Sequence, residues 1–399
     1  GKVRRATGLP VLHAEGVPDL ATANFAVSEG HVDLIGMTRA QIADPHIVKK
    51  HLAGEDEAIR PCVGAGYCID RIYRGGDALC AHNPATGREL YVPHSVEPSP
   101  GPALTVVIVG AGPAGMEAAW RAAARGHRVR VLEAQGEPGG QILLGARLAW
   151  RQNLLGVARW LYDRCQALGV EFSFNRFAEA EDILALAPDV VILATGGLPN
   201  FSTVEGGEDH AISVWDVLSG NVAPSGSFLI FDDTGGQSGP SAAEFLSGAG
   251  AEVELVTPDR CIAEDVGVTN HAIHLRNLYA AGARLTPDQR LRRIEKDGNR
   301  LMAQLENEYS GETQTRKVDH VVVEAGTLPF DDLYAALVER SVNGEEFDPE
   351  AFMTASRQPA VAELPDAENG YALFRIGDAL ATRGLHAAVF DAARLCSRL

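Results

Sequence analysis

The sequence lacks a disulfide framework. Its six cysteines are Cys62, Cys68, Cys80, Cys165, Cys261 and Cys396. Three lie close together and three are scattered, a usage that suits a reducing compartment, so a cytoplasmic location is expected. No apolar run approaches the ~18–20 residues needed to span a bilayer, so a membrane partner is not expected. The start, GKVRRATGLPVLHAEG, is basic but has no long apolar core and does not read as a signal peptide. Positive charge is also in short supply: 35 Lys and Arg stand against 53 Asp and Glu, a net −18. Such a chain repels a phosphate backbone, which excludes nucleic acid as an expected partner. No internal repeat is present beyond two glycine-rich turns. What remains is an ordinary globular composition, 46 % hydrophobic and 22 % charged, in 399 residues, enough for two or three domains.

The most informative stretch starts at Thr105. TVVIV is an apolar run that leads directly into Gly110-Ala-Gly112-Pro-Ala-Gly115. The helix-forming stretch MEAAWRAAARGH follows, and a second apolar run, Arg128–Leu132, ends on Glu133. Each part has a task in holding an adenine dinucleotide. Gly110 allows a tight turn, Gly112 allows backbone to approach a pyrophosphate, and Gly115 lets helix pack on strand. The helix N-terminus offers unpaired N–H groups to phosphate. Glu133 has the reach to accept hydrogen bonds from an adenosine ribose, which favours FAD, NAD or ADP over NADP. Further along, Gly139-Gly140-Gln141 supplies a second close backbone approach. A strand at Asp189–Leu193 ends in Ala-Thr-Gly196-Gly, and a strand ending in Gly377-Asp378 precedes a helix.

A second unit of the same kind reads as strand Phe228–Phe231, turn Asp232–Gly239, helix Pro240–Leu246 and strand Glu252–Val256. The order of parts suggests that it is inserted in the first. Residues 104–225 and 325–399 are expected to form one domain and 226–324 another. The second turn, Asp232-Asp-Thr-Gly-Gly-Gln-Ser-Gly239, carries two carboxylates where a pyrophosphate would approach. At ~4 Å and an effective dielectric near 20, each such contact costs about 4 kcal/mol. The unit therefore reads as a relic of an NAD(P)H site. Ahead of these domains, residues 1–60 read as β-α-β-α: strand Leu9–His13, helix Leu20–Glu29, strand Val32–Gly36, and helix Ala40–Leu52 interrupted at Asp44-Pro45. Residues 61–90 hold the close cysteines, and VPHSVEPSPGPA reads as a linker, so 61–103 is a connecting segment.

GLPVLHA (8–14), DLIGMTRAQIADP (33–45), RPCVGAGYC (60–68), CAHNPATGRE (80–89), VVIVGAGPAGMEAA (106–119), ILATGG (192–197) and IGDA (376–379) together resemble the C-terminal part of the trimethylamine dehydrogenase and 2,4-dienoyl-CoA reductase group. RPCVGAGYCIDRIY and VEAGTLPFDDLY look most like the demethylases of N-methylated amino acids. The resemblance implies an α/β fold: the end of a (β/α)8 FMN barrel, then a cysteine segment, then two Rossmann-like domains, one inserted in the other. Residues 1–60 would be strands and helices seven and eight of the barrel. FMN phosphate in such barrels sits at the ends of the last strands, here Gly36, Thr38 and Arg39. An ordinary surface role for Arg39 would be an ion pair with Asp33 or Asp44. Glu15-Gly16 stand where the group often has an arginine. Strands carrying acid–base residues are not in this sequence, so no catalytic residue is assigned, and His13, His82 and His386 are given none.

The group also implies an iron–sulfur cluster on Cys62, Cys68 and Cys80, either [4Fe–4S] or [3Fe–4S]. Their spacing, C-x5-C-x11-C, departs from the group pattern, because Ala65 stands where the second ligand belongs, leaving Asp77 or His82 as substitutes. The alternative is three small buried hydrophobes and no cluster. The leading expectation is a flavin-dependent oxidoreductase that demethylates a small N-methylated amine and passes electrons to an electron-transfer flavoprotein or a partner subunit, with homo-oligomers possible. FAD or ADP would occupy the first Rossmann unit and FMN the barrel. The alternatives are an NAD(P)H-dependent ene reductase and a non-catalytic nucleotide-binding module.

Overall fold

The computed structural model describes residues 1–344, 353 and 370–399. The expected first domain, 104–225 with 325–399, therefore lies partly outside the described residues, at 345–352 and 354–369. Chain order gives β1 (Leu12–His13), β2 (Leu34–Ile35), β3 (Thr105–Val109), β4 (Arg128–Leu132), β5 (Glu171–Ser173), β6 (Val190–Leu193), β7 (Gly197–Pro199), β8 (Ala211–Ser213) and β9 (Ser227–Asp232). β10 (Glu252–Val256), β11 (Arg284–Thr286), β12 (Gln289–Asp297), β13 (Arg300–Asn307), β14 (Thr313–Val318), β15 (His320–Glu324), β16 (Thr327–Pro329) and β17 (Ala372–Arg375) follow.

β3 is almost wholly apolar and β-branched, and it is buried on both faces, as a central parallel strand must be. It pairs in parallel with β4 and β6, completing a five-stranded sheet in the order β17-β6-β3-β4-β5. The Pro113–Ala124 helix has proline at its first turn and turns Ala114, Gly115, Met116, Ala118, Ala119 and Ala122 into the core, where small residues let it lie close to the sheet. A second parallel sheet repeats the plan in the order β11-β10-β9-β15-β8. An antiparallel meander, β12-β13-β14, is attached to it.

The second sheet draws on residues ahead of 226. β8 pairs with β15 in the second sheet, and Val204, Val214, Val217 and Leu218 pack into that sheet's core. The change of domain falls at the antiparallel ribbon β7–β16, where Gly197 faces Pro329 and Pro199 faces Thr327. Residues 200–326 lie between the two strands of that ribbon. Three residues per strand left β8 without a legible pattern.

Residues 1–60 open with a helix, Lys2–Thr7, ahead of the expected strands and helices. β1 and β2 are parallel neighbours, Leu12 opposite Leu34 and His13 opposite Ile35. Helices occupy Leu20–Ser28, Thr38–Ala43 and Ile47–Leu52, broken at Asp44-Pro45. This is a two-stranded pair and not a barrel. Leu9, Leu12, Phe25 and Leu34 are all more than half exposed, and no residue of the Leu20–Ser28 helix is buried.

Candidate functional site

The first glycine turn is built as its sequence demands. Gly110 has φ +105°, and a Cβ there would collide with the Ala194 carbonyl on the neighbouring strand end. A Cβ on Gly115 would strike the Gly110 carbonyl, so helix and strand can approach this closely only without one. Gly112 is extended, caps the Pro113–Ala124 helix, and would place a Cβ into open space. Space above the Gly112 backbone, at a helix N-terminus, is what a pyrophosphate requires.

The other predicted residues converge on this turn. The Gly139 amide donates to the Ala111 carbonyl at 2.9 Å, and a Cβ on Gly140 would lie 3.2 Å from the Gly112 Cα. Gln141 Nε2 donates to Asp378 Oδ2 at 3.4 Å, and it lies 3.9 Å from where Gly196 would carry a Cβ. A Cβ on Gly377 would sit 3.0 Å from the Ala114 side chain. The Gly377 amide donates to Asp391 Oδ2 at 3.2 Å, and Arg383 pairs with that carboxylate. Burial pushes the Asp378 carboxyl up, against the stabilising Arg383 amide and the Gln141 side chain. Glu133 is buried: its Oε2 accepts from the Ala111 amide at 2.5 Å, and its Oε1 accepts from the Gln135 amide at 2.7 Å. The acid braces the turn, and each carboxylate oxygen keeps lone-pair capacity for a ribose hydroxyl. These donors and glycines fit an adenine nucleotide.

A cleft of about 470 Å³ lies elsewhere, lined among others by Thr105, His127, Arg128, Arg130 and Glu171. It sits at the starting ends of β3–β5, away from the glycine turn. Arg128 is bound to Thr105 and Arg130 is paired with Glu171 at 2.7 Å.

The cysteine segment is held by a residue that sequence reasoning missed. Arg60 is buried between the Trp120 and Trp160 rings, 4.1 Å from the Trp160 centroid. It reaches Glu117 at 3.2 Å and donates to the His82 carbonyl. Glu117 is fully buried and also accepts from Arg121 and Trp120. Burial would raise its pKa, but the Arg60 and Arg121 charges and the Trp120 N–H hold it down to about 2. Cys62, Cys68 and Cys80 are half-buried free thiols. The His82 amide donates to Cys80 Sγ at 3.4 Å. Burial pushes Cys68 and Cys80 up, and nearby Cys62 adds to both.

Among the described residues, no group of three or more His, Cys, Asp or Glu comes together to hold a metal ion. As placed, the thiols of Cys62, Cys68 and Cys80 do not close a donor cage. His82 follows Cys80 closely: its Nδ1 lies 3.2 Å from the Pro61 carbonyl, its ring packs edge-on against Trp160, its Nε2 is buried without a hydrogen-bond partner, and burial drives its pKa down to about 3, which leaves it neutral. Ala65 packs against the first domain's core, and its carbonyl accepts from Asn270 at 3.2 Å.

Arg39 is exposed on the Thr38–Ala43 helix. The ion pairs weighed for it are taken by others: Asp33 by Arg4 at 2.8 Å and Asp44 by Lys50 at 2.5 Å. Gly36 lies against Ala14, so the two strand ends do meet. His386 sits between Tyr67 Oη at 3.2 Å and Arg88 at 2.8 Å. Burial, with Arg88 and Arg71, drives it down to about 4, which suits a packed histidine.

In the second unit Asp232 is buried and raised to about 6 by burial, against the Thr234 bonds it accepts. Asp233 is neutralised by Arg290 at 3.1 Å. Gln237, next to the helix start, is gripped by Arg151 of the first domain and by His274. His274 also meets Glu244, which accepts from Trp150 at 3.2 Å. Asp70 of the cysteine segment lies at the start of the Val268–Ala280 helix, against Gly267 and Thr269. No helix among the described residues is long and apolar enough to cross a membrane.

Residues 104–350 match the family model of the pyridine nucleotide-disulphide oxidoreductases. The whole chain is similar to a protein of Rhizobium meliloti named "Probable N-methylproline demethylase", with 47 % identity over 99 % of this chain and 58 % of the relative. It is also similar to an N,N-dimethylglycine/sarcosine dehydrogenase of Chromohalobacter salexigens, with 45 % identity over 99 % and 58 %. Among solved structures, a 2-naphthoyl-CoA reductase complex superposes with a TM-score of 0.84 at 26 % identity, covering 100 % of this chain and 55 % of that one. The chain thus spans a little over half the length of the relatives it matches.

Proposed function

The chain belongs to the pyridine nucleotide-disulphide oxidoreductase family, and on that footing we propose that it is part of a flavin-dependent oxidoreductase that demethylates a small N-methylated amine or amino acid. The observation that carries this reading is the convergence of Gly110–Gly115, Gly139–Gln141, Gly196 and Gly377–Asp378 around one turn braced by Glu133. Gly112 and Gly140 would face the pyrophosphate of FAD or ADP, and Glu133 the adenosine ribose. Gln141 and Asp378 would orient the group beyond the phosphates. A flavin, when bound, supplies the two-electron acceptor.

In this reaction a C–H of the N-methyl group is lost as a hydride equivalent, leaving an iminium. The iminium adds water, and the products are the demethylated amine and formaldehyde. Two electrons then leave to an electron-transfer flavoprotein or a partner subunit. No step is routed through an iron–sulfur cluster, because Ala65 and the open thiol set do not fit one. Residues 1–60 serve as the last two units of an FMN barrel, with Gly36, Thr38 and Arg39 toward the phosphate, and with the exposed Leu12, Phe25 and Leu34 facing the remainder of such a barrel. The reaction takes place in the cytoplasm.

Two measurements test this. Denaturing the purified chain should release about one adenine nucleotide per chain. With dimethylglycine or N-methylproline and a dye acceptor, the full-length protein should release formaldehyde. NAD(P)H-driven reduction of an unsaturated substrate with no formaldehyde would overturn the reading in favour of an ene reductase.

A further inference from the structure

The two Rossmann units of this chain can be compared strand by strand. In the first, β3 runs between β4 and β6, with Val109 opposite Leu193. In the second, β9 runs between β10 and β15, with Phe231 opposite Val323. The next position on each central strand is Gly110 in one unit and Asp232 in the other. On the neighbouring strand it is Ala194 in one and Glu324 in the other, and Asp232 and Glu324 are themselves in register. Two carboxyls thus stand where the first unit has a glycine and an alanine.

We propose that Asp232 is the specificity-determining residue that closes the second unit to dinucleotides, its carboxyl lying in the turn as a built-in anion beside Glu324. This rests on the reading that electrons do not enter from NAD(P)H. Asp232 Oδ1 accepts from the Thr234 amide at 3.0 Å and from its hydroxyl at 2.8 Å, and the Gly235 amide also stabilises the charge. These backbone donors form the concavity that a phosphate would use. The other oxygen, Oδ2, is buried without a hydrogen-bond partner. It points under the helix start, where a Cβ on Gly239 would lie 2.7 Å from it. Glu324, raised to about 7 by burial and by Asp232, accepts from the Gly326 amide at 3.2 Å.

The groups around the turn reinforce the exclusion. Asp259 faces Gly235 and has Glu264 and Asp265 beside it. Arg290 is divided between Asp233 and Glu308. Arg151 is bound to Gln237 and to the Gly145 carbonyl. Among the described residues around the turn, each cation is already engaged, and Asp232 already holds the amides.

Nicotinamide fluorescence titration with NADH and NADPH tests the proposal. The wild type should show no saturation below about 1 mM. Asp232→Ala and Asp232→Gly, with unchanged circular dichroism and first-site nucleotide content, should bind at least about tenfold more tightly. Asp232→Asn keeps the shape without the charge and should show a smaller gain, so it carries the test if the truncations do not fold. Micromolar binding by the wild type would overturn both this proposal and the NAD(P)H-free reading. A silent wild type with no gain in any folded variant would overturn the role of Asp232 alone.

Discussion

Arg60 crosses from the cysteine segment to Glu117, 57 residues further along the chain, and the two side chains pair with both almost fully buried. A buried pair costs desolvation on each side, and here the remaining groups are also satisfied: Glu117 accepts from Arg121 and Trp120, and Arg60 donates to the His82 carbonyl. Removing one partner leaves a stranded charge, at a cost of about 3–5 kcal/mol. Arg60→Leu should therefore lower the chemical denaturation midpoint strongly, whereas Arg60→Leu with Glu117→Leu should recover much of the loss. The pH dependence has a defined sign. Glu117 is held near 2, below its ordinary 4.5, so its contribution is complete above about pH 5 and fades as pH falls toward 2. Glu117→Gln should flatten that acid limb. An unchanged limb in a urea titration across this range would contradict the assignment.

Glu133→Ala should affect the first turn in two ways. The Ala111 and Gln135 amides lose their acceptor, and a bound ribose loses its partner. Affinity for ADP or FAD should fall by about 1.5–3 kcal/mol, the value of a hydrogen bond to a charged group. Gly115→Ala should do more, since its Cβ would strike the Gly110 carbonyl, and nucleotide content after purification should drop below detection. Calorimetry for the first variant and extraction for the second decide these outcomes.

How much was legible follows from how local each signal is. Gly110, Gly112, Gly115 and Glu133 could be read because one short strand-turn-helix-strand unit sets all four. The break at Asp44-Pro45 could be read because proline cannot continue a helix. The alternation of strands and helices in residues 1–60 survived with shorter strands. Asp70 with Gly267 and Arg60 with Glu117 could not be read, since each joins segments far apart in the chain and neither residue type is unusual at its own position. β8 could not be read for the same reason: its partner β15 lies far along the chain. Asp232 was recognised as hostile to phosphate, but its burial under the helix start needed the fold.

Gly267 provides a check on how the segments are joined. It caps the Val268–Ala280 helix, and a Cβ there would fall within the Asp70 carboxyl. The contact is extended by Asn270 to the Ala65 carbonyl at 3.2 Å and by Arg74 to the Asp265 carbonyl at 3.1 Å. Gly267→Ala should push Asp70 off the helix start and cost about 1–3 kcal/mol, as overpacking does. Hydrogen exchange should rise at residues 65–74. Asp70→Ala combined with Gly267→Ala should cost less than the sum of the single changes, because the clash needs both side chains. Strict additivity would show that the two do not meet.

Ala65 decides the last question, whether this segment can hold iron. Three thiols remain of a four-thiolate pattern, and as placed they do not close around a metal. His82 is turned onto Pro61 and Trp160, and Asp77 is exposed, with its carbonyl accepting from Arg71. Neither joins the thiols in a metal-holding group among the described residues. Anaerobic reconstitution of the wild type with iron and sulfide should give iron well below four per chain. Ala65→Cys restores the expected second ligand and should raise both iron content and visible absorbance. The half-buried setting of Cys62, Cys68 and Cys80 and the His82 amide on Cys80 would then serve the restored cluster, since N–H donors to sulfur stabilise bound thiolates. Four irons per chain in the wild type would mean that the segment rearranges on binding metal. Equal, low iron in both proteins would mean that the surrounding fold, and not Ala65, excludes the cluster.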